Sequence, residues 1–166
     1  NNQVVFSAIH NPMTNETYTA YKNKGAFLNK KRITFEKNED AKILFMPTSH
    51  LREIDKKVET EMFNELSCFS LYRNANSHAV SFCHVAKGIY DGLVCFSKDS
   101  FPVFAGSLII QEAGEIFTNL EGESEINYRN RIFIAGHKEI YDKLKKLTEK
   151  VVNNNKINLE KNGYLK

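Results

Sequence analysis

Tryptophan is absent from the 166 residues, and proline and cysteine occur only three times each. Glycine, at 8, is far below the roughly one-third that a collagen-like repeat requires. No apolar run approaches the about 20 residues of a membrane-spanning helix, and no charged-then-apolar leader opens the chain. Charge of one sign is also scarce: 23 basic against 20 acidic residues leave +3, too small a bias to argue for a nucleic-acid partner. The one basic cluster, Lys143, Lys145 and Lys146, falls in a helix-like segment and reads as a solvated face. What is present is 42% hydrophobic and 26% charged residues, ordinary for a globular chain. A chain of this length buries roughly two-thirds of its unfolded surface, enough for a real core, so coiled coil and full disorder are excluded.

The cysteines, Cys68, Cys83 and Cys95, are odd in number and match no zinc spacing. Apolar neighbours such as Leu93, Val94 and Phe96 predict buried, reduced thiols. Reduced thiols in turn predict a cytoplasmic setting.

Residues 3–9, from Gln3 through Ile9, are β-branched and aromatic and read as a strand. Asn11, Pro12 and Asn15 mark a turn, and Asn23-Lys24-Gly25 and Asn29-Lys30-Lys31 mark two more. Strands at 17–21, 26–28 and 32–35 complete an antiparallel meander, and 36–41 is a charged connector. The pattern then alternates. Residues 42–46 form a strand, and Thr48 and Ser49 are candidate caps for a helix striped by Leu51, Ile54, Val58, Met62 and Leu66. Strands are expected at 68–72, 91–96, 115–118 and 131–135. Helices are expected at 78–86 after Ser77, at 101–112 before Gly114, and at 138–152. The fold class predicted is α/β, with an α+β character at the N-terminal end: a meander over 1–40 and an α/β domain over 41–152 with a mixed sheet flanked by helices. The Asn- and Lys-rich stretch 153–166 reads as a disordered polar tail.

Catalytic chemistry is thin. There is no glycine-rich phosphate loop, no nucleophile elbow, and no cysteine with an activating neighbour in sequence. Five histidines are scattered, and His78 and His84 are six apart on one helix, on opposite faces. A Mg²⁺ site needs converging hard oxygen ligands. Of five aspartates, Asp55 and Asp142 fall on polar helix faces, Asp40 in the connector and Asp91 in a turn. Only Asp99 sits between a strand end and a helix start, where ligands collect in α/β folds.

Three segments together resemble the inositol monophosphatase family of Mg²⁺-dependent phosphomonoesterases. NPMTNETYTAYKNKGAFLNKKRI (11–33) is similar to its central hairpins. Arg73, Ser77, Ala79, Val85, Ala86, Gly88 and Asp91 keep the spacing of its Gly-Ser-Ala-Ala helix, and AGSLIIQEAG (105–114) resembles the helix after its Trp-Asp signature. The resemblance spans 3–152 and corresponds to the later part of a family member. It implies metal-activated water attacking a small phosphomonoester such as an inositol phosphate, with Mg²⁺ as cofactor. The family's early metal ligands, a Glu and Asp-Pro-x-Asp-Gly-Thr, have no counterpart here. Where the family has Trp-Asp, Phe101-Pro102 stands, so the late metal position is occupied by Pro102, with Asp99 a remote substitute. The acidic substrate position is Cys95, and the glycine opening the helix motif is Asn76.

The expectation is therefore a truncated pseudoenzyme: no catalytic residue, no bound metal when the chain is alone, and substrate contacts surviving at Asn76, Ser77, His78 and Cys95. The expected partners are a polypeptide carrying the first half, or a second copy, meeting the strand edge at residues 3–9. There Val5, Phe6, Ile9 and Phe27 are candidate exposed apolar residues. A non-catalytic interaction protein on the same fold is the alternative. A nucleotide 3′-phosphatase relative, hinted at by Pro47-Thr48-Ser49-His50, is the third reading.

Overall fold

The computed structural model describes residues 3–35, 42–47, 54–69, 71–73 and 77–165. The asparagine-rich turns fold the N-terminal residues into an antiparallel sheet of β1 (Phe6–Asn11), β2 (Glu16–Tyr21), β3 (Gly25–Leu28) and β4 (Lys31–Ile33), in that order. Asn15, Asn23 and Asn29 all take positive φ, the left-handed conformation their short side chains tolerate. Inward positions alternate along the strands: Ser7, Ile9, Tyr18, Ala20 and Ala26 are buried.

The second sheet contains β5 (Lys42–Met46), β6 (Leu71–Arg73), β7 (Gly92–Phe96), β8 (Ile116–Asn119) and β9 (Ile132–Gly136), ordered β6-β5-β7-β9-β8. Its β6-β5-β7 part is parallel and its β7-β9-β8 part antiparallel, so the sheet is mixed as expected. The helices are α1 (Lys56–Leu66), α2 (His78–Ala86), α3 (Ser100–Glu112), α4 (Lys138–Asn154) and α5 (Lys156–Lys161). Gly88 and Gly114, at φ +76° and +100°, follow the ends of α2 and α3 in the left-handed conformation that ends helices.

Period-two alternation puts the mixed sheet between two apolar layers. Leu44, Met46, Leu93 and Cys95 face α2 and α3, which also carry the inner face of the antiparallel sheet. Ile43, Phe45, Val94 and Phe96 face the other way, onto α1 and α4. Every residue of β7 is buried, the signature of a strand covered on both faces. The antiparallel sheet, α2/α3, the mixed sheet and α1/α4/α5 thus form four successive layers.

Several expectations need correction. Residues 153–166 are not a disordered tail over their described part: α4 runs on to Asn154, α5 follows, and Leu159 and Tyr164 are buried against Phe96 and the α4 stripe. A polar composition hid two apolar anchors at the right spacing. Cys68 is exposed, whereas Cys83 and Cys95 are buried and all three are free. Asp55 is no mere surface residue, for it caps α1 by accepting from the Lys57 N–H at 2.7 Å. The candidate caps Thr48 and Ser49, and the connector 36–41, lie outside the described residues. Asp91 is fully buried and clamps β5 to β7 by accepting from the Lys42 N–H at 2.9 Å.

Glu115 sits before β8 at the same end of the sheet as Asp91, 7% exposed. Burial, with the Asp91 charge adding to it, pushes its carboxyl up to about 7.

Two outcomes test this packing. Leu159→Ala should lower unfolding free energy by about 2–4 kcal/mol in a urea titration, because it leaves a cavity under α5. An unchanged midpoint would mean that the terminal helix does not pack. For Glu115, the folded pKa lies above the unfolded one, so the native state holds the extra proton. Stability therefore falls as pH rises from about 4.5 towards 7. Glu115→Gln should remove that fall and gain about 1–3 kcal/mol at pH 8, read from denaturation curves across pH.

Candidate functional site

At the carboxyl end of β7 the chain leaves the sheet as Ser97-Lys98-Asp99 and enters α3, while the N-terminus of α2 lies alongside. Asp99 has extended backbone (φ −85°, ψ 110°), and its Oδ1 accepts from the Phe101 N–H at 3.1 Å, an N-cap. Ser77 is the N-cap of α2: its Oγ accepts from the Val80 N–H at 3.5 Å, and its carbonyl accepts from the Ser81 hydroxyl at 2.6 Å. Both helix starts are thus local capping geometry on short polar side chains after an extended segment.

The link between them is Ser97, which sequence reasoning passed over. Its Oγ lies 3.4 Å from His78 Nδ1, accepts from the Asp99 N–H at 3.1 Å and donates to the Asp99 carbonyl at 3.2 Å. Ser97 is 1% exposed and His78 5%. Only the contact with His78, 19 positions away, distinguishes this serine from any other, and no local motif announces it.

Of the sequence-predicted residues, Ser77 and His78 stand at the α2 N-terminus, and Asp99 and Pro102 at the α3 N-terminus, joined through Ser97. Asn76 lies outside the described residues. Cys95 is in the core between β7 and α2/α3, fully buried, its thiol pushed well above the usual range by that burial. That placement makes it a packing residue with no exposed surface for a substrate.

Serine, histidine and aspartate meet here, but not as a relay. The Asp99 carboxylate serves the Phe101 N–H rather than the imidazole, and Ser97 is spent on the backbone of Asp99. Nor does the donor set fit a magnesium ion. Pro102 offers no oxygen from its side chain, Cys95 offers a buried neutral sulfur, and one capping carboxylate remains. Among the described residues, no three His, Cys, Asp or Glu side chains form a group that would hold a metal. No helix there is long and apolar enough to cross a membrane.

If Asp99 works as a cap, Asp99→Ala should cost about 1 kcal/mol while Asp99→Asn, which keeps the acceptor, costs a few tenths. Equal losses in the two variants, by chemical denaturation, would assign the carboxylate charge another task.

Comparison with known proteins agrees with this architecture. The chain is 30% identical over 152 residues to the fructose-1,6-bisphosphatase/inositol-1-monophosphatase of Aquifex aeolicus, covering 88% of this chain and 55% of that protein. It is 30% identical over 125 residues to the Nus factor SuhB of Vibrio cholerae, covering 72% of this chain and 46% of the relative. The crystal structure of the extragenic suppressor protein SuhB from Bartonella henselae superimposes with a TM-score of 0.78 at 28% identity, over 89% of this chain and 57% of that one. The chain thus spans about half the length of the curated relatives it matches. The family profile described as "Inositol monophosphatase family" matches residues 1–153, and the chain belongs to that family.

Proposed function

We propose that these residues form the later half of an inositol monophosphatase-type phosphomonoesterase fold and, by themselves, hydrolyse no phosphomonoester. The observation that carries this reading is the start of α3, where Asp99 is committed to capping; the resemblance would put the family's late metal ligand at Pro102, which has no side-chain oxygen to offer. The chain's span of about half its relatives' length supports it. In the reading, Mg²⁺ and an inositol phosphate or similar small phosphomonoester belong to the complete family architecture. The setting is cytoplasmic, supported by the three unpaired thiols.

The complement in this reading is a polypeptide that supplies the early carboxylates and pairs with β1. Among the described residues that strand pairs with β2 alone, and Phe6 at its start and Val5 before it are 48% and 66% exposed. Ile9, expected on the open face, points instead into the α2/α3 layer, and Phe27 is half-buried. An uncharged edge with exposed apolar side chains is an invitation to pairing.

A second reading is favoured by the Vibrio relative, whose name is that of a Nus factor. In it, the fold is kept as an interaction surface and catalysis is not its task.

The deciding experiment is phosphate release from inositol phosphate with Mg²⁺. The chain and its Pro102→Asp variant should both stay at background. Supplied with a polypeptide carrying the early carboxylates, Pro102→Asp should bind Mg²⁺ at least about tenfold tighter than the unmodified chain, because it restores a hard oxygen ligand. Chelator-sensitive turnover by the unmodified chain alone would refute the proposal.

A further inference from the structure

A cavity of about 830 Å³ opens at the Phe96 end of the mixed sheet, on the α4/α5 side rather than the α2/α3 side. Its walls are the loop 127–131 and the terminal residues around α5, with Tyr164 on the inner side, ring to ring with Phe96. The volume is in the range of small-molecule pockets.

Its charges are one-sided. Arg129, Arg131 and Lys156 line it against the single carboxylate of Glu121. Among the described residues neither arginine has a carboxylate partner, and Lys156 has only a 3.9 Å contact with Glu160. Three cations sharing one concavity repel each other, and that repulsion is relieved when an anion enters.

The arginines are also held in place before any ligand arrives. Arg131 Nη1 donates to the carbonyls of Tyr128, at 2.5 Å, and Asn130, at 2.9 Å, which uses one of the three guanidinium nitrogens. The Arg129 Nε donates to the Tyr128 hydroxyl at 3.2 Å, and its guanidinium lies 5.4 Å from the centre of that ring. A fixed guanidinium plane presents paired donors that match phosphoryl oxygens, and two such planes with an ammonium suit more than one phosphoryl group.

We propose that this cavity binds a small ligand carrying two adjacent phosphoryl groups. None of its lining residues belongs to α2 or α3, and the Arg131 carbonyl accepts from the Ser97 N–H at 2.8 Å behind it. Lys156, Gly163, Tyr164 and Leu165 contribute to its wall, and all of them follow residue 153, where the family match ends. Such a diphosphate comes as the inorganic anion or as a nucleoside diphosphate. The Tyr128 ring, on a residue 63% exposed at the cavity, offers a flat surface for a base in the second case.

Calorimetry on the full chain at low salt, with pyrophosphate, ADP and adenosine as probes, tests the proposal. Pyrophosphate, ADP or both should bind saturably at one site, and adenosine should not bind. Arg129→Gln and Lys156→Gln, both exposed side chains, should each weaken binding at least about fivefold, as loss of a charge-assisted contact does. Lys31→Gln on the distant antiparallel sheet should leave it unchanged. If Tyr128→Ala weakens ADP but not pyrophosphate, the ligand is a nucleotide; if it weakens neither, the inorganic diphosphate is the ligand. Absence of binding by both anions, or affinities that survive the Arg129→Gln, Lys156→Gln double variant, would overturn the assignment.

Discussion

The architecture depends on how closely α2 and α3 approach. At Gly106, in the middle of α3, a Cβ atom would overlap the ring and the Cβ of Phe82 on α2, so only glycine lets the helices meet. Because they meet, one helical layer is thin enough for both sheets to reach it. Ile9, Tyr18 and Ala20 press from one side while Leu93, Cys95 and Phe117 press from the other. Phe82 then stands edge-on to Phe117, whose ring stacks on Phe133, carrying the contact across the mixed sheet. A methyl group at position 106 would push the helices apart and open this whole layer, which is how a small change in a close-packed interior is felt at a distance.

This arrangement was legible in sequence where the signal is local and periodic. The three asparagine turns set the meander, since each takes the left-handed backbone that asparagine tolerates. The stripe Val58, Met62 and Leu66 marked α1, and unbroken apolar runs marked β7 and α3. Strand ends shifted by one to three residues, as at β1, which runs from Phe6 to Asn11 rather than from Gln3 to Ile9. Pairing partners, not composition, set where a ladder begins.

What escaped was whatever depends on a distant partner. Ser97 matters because His78 is folded against it, and Asp91 because the Lys42 N–H is aimed at it from another strand. The terminal segment read as disordered because its asparagines and lysines outnumber its apolar residues. Yet Leu159 and Tyr164 needed only a groove beside α4 and Phe96 to become buried. Composition averages over a segment, whereas docking depends on two side chains and the surface that receives them.

Around the carboxyl end of β7 the two faces of the sheet differ in how their polar groups are satisfied. A proline in the first turn of α3 lacks an N–H that would have had no helical acceptor, so Pro102 is structurally well placed there. Asp99 serves the Phe101 N–H and Ser97 serves the backbone of Asp99, so the side chains of these two residues are met by local bonds. Across the sheet the balance is the reverse. Arg129, Arg131 and Lys156 line a shared hollow with one carboxylate among its lining residues, and the two arginines are held by carbonyls and a tyrosine rather than by opposite charge. Polar groups met by local bonds avoid the cost in stability of an unpaired buried donor or acceptor. Positioned guanidinium groups that lack a carboxylate partner among the described residues repel one another and the neighbouring ammonium, and that repulsion is the physical ground for the anion proposed to enter the hollow.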